Sequence, residues 1–159
     1  MSASWPLPPT SDSRSPCPRN TTVDNARLNT PPPNRGPMTE SEFKDRTKQV
    51  ALRVLRLVDS LPRRRAADAI GRQLIRSGTS IGANYRSACR AQSRKAMLAK
   101  LAIVEEEADE TLYWLELLAE SGIVPAKRLT ALSNEVEQIL RMTTASIRTA
   151  RRRSQSAAP

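Results

Sequence analysis

The chain has 159 residues, room for one domain, and carries 26 Lys and Arg against 16 Asp and Glu, a formal net charge of +10. Aromatics make up only 3% of the chain and histidine is absent, so a β-rich core is disfavoured and the commonest general base and transition-metal ligand are both missing. The charge excess makes polyanions the first candidate partners, and no apolar run approaches the ~18 residues of a membrane span.

Residues 1–37 hold nine of the twelve prolines, with many Ser, Thr and Asn and no apolar periodicity, and are expected to be a disordered Pro/Ser-rich leader. Met38 then opens a segment in which Thr39 and Glu42 stand at capping-box spacing, so Met38 is expected to be the natural start. The N-terminus lacks the apolar core of a secretory signal. Cys17 and Cys89 are far apart and fit no metal-ligand spacing, so a reducing cytoplasm is the expected compartment and Cys89 is expected to act as a small buried hydrophobe. Helix one is predicted over about 40–60, with Phe43, Val50, Val54, Leu55, Val58 and Leu61 on one side, ending at Pro62.

The segment 63–92 contains "IRSGTSIGANYRSACR", which reads as a loop at first sight. Phase decides otherwise. At about 100° per residue with Arg72 as origin, Arg65, Arg76, Arg86 and Arg90 fall at about +20°, +40°, −40° and 0°. Ala67, Ile70, Leu74, Ile81, Tyr85, Ala88 and Cys89 fall on the opposite side, together with Gly78. Both stripes continue in register through the glycine, which predicts one continuous helix with a close neighbour at Gly78 and Gly82. A phosphate loop is excluded because no Gly-Lys-Ser/Thr follows a strand, and a helix-turn-helix would require a break at Ser77–Ser80.

Helix three is predicted over about 93–121, from Ser93 as N-cap to Gly122 just beyond its end. Helix four follows over about 125–150 with Leu129, Leu132, Val136, Ile139, Leu140 and Ile147 as its seam. The bundle spans 38–152, and residues 153–159 are expected to fray. The fold class is therefore an all-α, antiparallel up-down-up-down four-helix bundle behind a leader.

Two stretches, "RSGTSIGANYRSA" and "EEEADETLYWLELL", carry a resemblance. With the segments between and around them, over about 38–150, the chain resembles the four-helix-bundle family named for intervening sequences in 23S ribosomal RNA genes. That family is related to the accessory variability determinant of diversity-generating retroelements. The resemblance implies a homopentamer with a basic surface, which in the retroelement branch engages a reverse transcriptase and nucleic acid. The leader and the basic tail depart from the compact family pattern.

The functional candidates follow from charge. Arg65, Arg72, Arg76, Arg86 and Arg90, extended by Arg63, Arg64, Arg94, Lys95 and Lys100, form a guanidinium-rich face, and Asp68 is the sole acid between 60 and 104. Guanidinium grips phosphate bidentately, and the absence of aromatics among these residues points to backbone contact rather than base stacking. The competing readings are a solvated face, or arginines paired with the acids of helix three across subunits. In the run Glu105, Glu106, Glu107, Asp109 and Glu110 a di-iron site would want Glu-x-x-His, so no metal or cofactor is expected; Glu105 is expected to meet an arginine of helix two or of another subunit. Ile103, Trp114 and Leu117 lie off the core stripe of helix three and are expected to form an oligomer interface, the alternative being a wide core stripe that takes in Trp114. No nucleophile–base pair is present, so an enzyme is not expected. The expected function is a non-catalytic oligomeric bundle binding RNA or DNA backbone or a nucleoprotein partner. The alternatives are a scaffold for an acidic protein such as a reverse transcriptase, and a helix-turn-helix regulator.

Overall fold

The computed structural model describes residues 38–155, with side chains to Arg152. It contains four helices, α1 (Glu40–Asp59), α2 (Arg65–Cys89), α3 (Arg94–Glu120) and α4 (Ala126–Gln155), and no strand among the described residues. The leader 1–37 lies outside the described residues. No helix among those described is long and apolar enough to cross a membrane.

Three boundaries have a clear local cause. Thr39 and Glu42 form the capping box: Glu42 N–H donates to Thr39 Oγ1 at 3.2 Å, and Thr39 N–H to Glu42 Oε2 at 2.8 Å. Ser93 caps α3 by accepting from Ala96 N–H at 3.1 Å. Beyond α3, Gly122 takes φ +68°, the left-handed conformation that glycine adopts without steric cost. That turn lets Gly122 N–H reach Ala119 O and Val124 N–H reach Leu118 O, both at 3.0 Å. The helix α4 runs five residues past the predicted 150, to Gln155, and at this end residues 156–159 lie outside the described residues. Its last turns continue the helix because Thr149 to Gln155 contains neither glycine nor proline to stop it.

The helix α2 is unbroken through Ser77, Gly78, Thr79 and Ser80, which removes the turn that a helix-turn-helix needs. It is shorter than predicted by two residues at its start and three at its end. The small residues at its middle belong to packing. A Cβ at Gly78 would stand 2.8 Å from Val54 Cγ2, so α1 lies against bare backbone there. Contacts between consecutive helices run in opposite sequence order, as between antiparallel neighbours. Gly71 meets Val58 while Gly82 meets Thr47 in the α1–α2 pair, and Ser77 meets Thr111 while Ala88 clusters with Leu101 in the α2–α3 pair.

The main core joins Val50, Val54, Leu74, Ile81, Val104, Leu115, Leu118, Val136 and Ile139, all essentially inaccessible. A smaller cluster of Ala88, Leu101 and Ile147 closes the end where α2 gives way to α3. Buried hydroxyls are satisfied locally. Thr111 Oγ1 lies 2.7 Å from Glu107 O and 3.0 Å from Ser77 Oγ, which is itself 3.1 Å from Gln73 O, so three contacts share two hydroxyl protons. The joint between α1 and α4 is the sparsest in the bundle. It is bridged by Arg46, which donates to Glu135 Oε1 at 2.7 Å and Gln138 Oε1 at 2.9 Å, and by Arg128, which donates to Ser60 Oγ at 2.8 Å.

Candidate nucleic-acid interface

The guanidinium face is built by α2. Because this helix is continuous, arginines spaced by seven, four and ten residues stay on one side, Arg90 follows at its C-cap, and Arg65, Arg72, Arg76, Arg86 and Arg90 are all exposed. From Arg65 to Arg90 the row spans about 38 Å at ~1.5 Å per residue. Arg94 and Lys95, the first two residues of α3, are exposed at the end of this row.

The cations are not equivalent. Among the described residues Arg65, Arg72, Arg86, Arg90 and Lys95 form no ion pair. Arg76 departs from the sequence expectation that neighbours leave it free. It reaches across to α3, bonding Glu110 through Nη2, with Glu107 Oε1 at 3.8 Å and Gln73 Oε1 accepting from its Nε at 3.1 Å. The Glu110 hydrogen bond raises its already high pKa further. Two acids of helix three, Glu110 and Glu107, thus pair with this arginine within one chain. Arg94 is also engaged, its Nη2 donating to Ala150 O at 2.7 Å.

Behind Arg76 lies a compact polar network. Glu110 Oε1 also accepts from Trp114 Nε1 at 3.0 Å, and this bond, followed by Arg76, holds the Glu110 carboxyl below its usual range despite partial burial. Glu107 behaves in the opposite way. Burial pushes its carboxyl up against the pull of Arg76, and its Oε2 is buried without a hydrogen-bond partner. Among the described residues of the chain Glu105 meets no arginine of helix two. Its Oε1 accepts from Thr144 Oγ1 on α4 at 2.6 Å, because its phase on α3 turns it toward α4 rather than α2.

The three residues expected at an oligomer interface are divided by the fold. Trp114 is half-buried, packs against the main core and is hydrogen-bonded to Glu110. Ile103 and Leu117 are half-buried and belong to neither core cluster. Beside them Tyr113, 52% exposed, stands edge-on to Trp114 with ring centroids 5.0 Å apart. Met38, Leu55 and Tyr113 are the exposed large apolar residues among those described, and Leu55 departs from its expected place on the core side of helix one. Three further exposed cations lie outside the sequence-based candidates. Arg148, Arg151 and Arg152 are exposed on the extended end of α4, and the signal was present in "ASIRTARRRSQ", where nothing breaks the helix.

Comparison with known proteins bears on this arrangement. The family model described as 23S rRNA-intervening sequence protein matches residues 39–145. The fold is similar to the crystal structure of a protein with unknown function from the S23 ribosomal protein family of Bacteroides thetaiotaomicron, at 35% identity over 70% of this chain and 99% of that one, with a TM-score of 0.65. No curated protein matches the chain.

Proposed function

The chain belongs to the 23S rRNA-intervening sequence protein family, and from that premise we propose that it is a non-catalytic, cytoplasmic, self-associating bundle that grips the phosphate backbone of nucleic acid along α2. One observation carries the reading. Arg65, Arg72 and Arg86 stand exposed on α2 and Arg90 at its C-cap, with no acid of the described residues paired to them, while Glu110 of α3 is held by Arg76 and Trp114. Unpaired guanidinium groups at fixed spacing offer bidentate donors to successive phosphates. With no aromatic side chain among the arginines of α2, the row itself offers no stacking platform, so its contact is with the backbone and is tolerant of sequence.

Four phosphate contacts along α2 contribute about −3.6 to the salt slope for a duplex, which alone lowers affinity about a hundredfold between ~50 and ~200 mM salt. The measurement is fluorescence anisotropy with a labelled RNA or DNA duplex across that range, for the wild type and for the variant with Arg65, Arg72, Arg86 and Arg90 changed to Gln. The variant should lose most of the slope. Wild-type binding that ignores salt, or none at low salt, refutes the reading. A partner protein that stays bound in a pull-down after nuclease treatment would favour an acidic protein instead.

A further inference from the structure

We propose a second phosphate-binding site, in the groove between the first turns of α3 and the last turns of α4, which holds the same nucleic acid as the α2 row. The inference rests on the proposed function above and deepens it. The groove has a volume of about 390 Å3 and is lined by Arg94, Lys95, Leu98, Ala99, Ala102 and Arg151. Its cations come from both rims, Arg94 and Lys95 from α3 and Arg151 from α4. Small and apolar side chains form the floor between them. Arg148 and Arg152 stand on the neighbouring exposed part of α4.

Three observations make this more than a chance collection of charges. The Arg94 guanidinium is fixed, since its Nη2 donates to Ala150 O at 2.7 Å, one residue from Arg151. A guanidinium has five N–H donors, so this bond positions the group and leaves the others for a ligand. No acid neutralises the groove from either wall, because α3 has none before Glu105 and α4 none after Glu137. Glu105, the first acid along α3, is turned toward Thr144, and Glu137 is taken by Arg141. The groove also adjoins the end of the α2 row, because only the 90–93 turn separates α2 from Arg94. Like charges gathered this way repel one another, and an anion with closely spaced negative oxygens relieves that repulsion. A polyphosphate or a nucleic-acid backbone has that chemistry. The narrow floor without an exposed aromatic offers nothing to a base.

The test uses the full chain and two probes, inorganic tripolyphosphate and an RNA duplex, with Lys95→Gln/Arg151→Gln compared against the α2 variant described above. Arg94 is left in place so that its bond to Ala150 keeps the two helices together. Tripolyphosphate should raise the melting temperature of the wild type and of the α2 variant, and amide shifts should centre on residues 94–102 and 148–152. Both effects should largely disappear in Lys95→Gln/Arg151→Gln, and its duplex salt slope should shrink by about 2. If that variant binds tripolyphosphate and duplex as the wild type does, the second site is refuted while the α2 reading stands. If tripolyphosphate docks in the groove but no duplex binds at any salt concentration, the nucleic-acid reading and the assignment of this groove to nucleic acid both fall.

Discussion

Replacing Gly78 with alanine tests the packing that lets α2 run unbroken. A helix gains about 0.5–1 kcal/mol when an interior glycine becomes alanine, because the unfolded chain has less freedom to lose. At Gly78 that gain meets an obstacle. The new methyl would stand 2.8 Å from Val54 Cγ2, 3.2 Å from its Cγ1 and 3.3 Å from its Cβ. Val54 is fully buried and β-branched, so it is confined to one rotamer in a helix and cannot swing aside. The helix α1 must move, and overpacking of this kind costs about 1–3 kcal/mol. The net expectation is a loss of about 1 kcal/mol. Gly82 is the control, since a methyl there meets Thr47 Oγ1 at 3.4 Å and its backbone carbon at 3.6 Å, ordinary contact distances. Gly82→Ala should therefore gain about 0.5–1 kcal/mol, which separates the two variants by about 2 kcal/mol. Urea denaturation followed by helical circular dichroism at fixed protein concentration measures both. Gly78→Ala as stable as Gly82→Ala would show that α1 does not press on α2 at Val54, and the account of the buried glycine would be wrong.

Glu107→Gln should raise the unfolding midpoint at pH 7 more than at pH 4. A carboxyl raised in the folded state favours folding below its unfolded titration and loses that advantage as pH rises through the folded value, so the wild type bears the cost only at neutral pH. An equal gain at both pH values would contradict the buried-carboxylate assignment. Changing Ile103 and Leu117 together to Lys should lower the molar mass seen by light scattering if the α3 edge joins copies of the chain; an unchanged mass, or a monomeric wild type, would remove that edge as the interface.

The fold was legible because its signals are periodic or local. Arg65, Arg72, Arg86 and Arg90 keep one phase across Gly78, and a loop would have scrambled it. Thr39, Ser93 and Gly122 announce helix ends through chemistry confined to three or four neighbours. The site was legible only as a face. Which cations on it remain available depends on partners distant in sequence: Glu110 lies 34 residues from Arg76, and Ala150 lies 56 from Arg94. No spacing rule within one helix reveals such pairs. The end of α4 failed for a different reason. A cluster of arginines after an apolar run reads as a tail by composition, yet nothing in it opposes helix continuation, and only the neighbouring start of α3 shows what the extra turn reaches.

The polar joint between the first and last helices gives the bundle a preferred way to open. α1 is fastened to α2 by the glycine contacts along its length, but meets α4 more sparsely, with Arg46 bridging to Glu135 and Gln138 and Arg128 reaching Ser60 just past the end of α1. Water can replace charged bridges at far lower cost than apolar packing. The barrel of four staves therefore has a hinge side and a latch side. If the bridges to α4 break, α1 still rests on α2, because Val54 packs on Gly78 and Thr47 on Gly82.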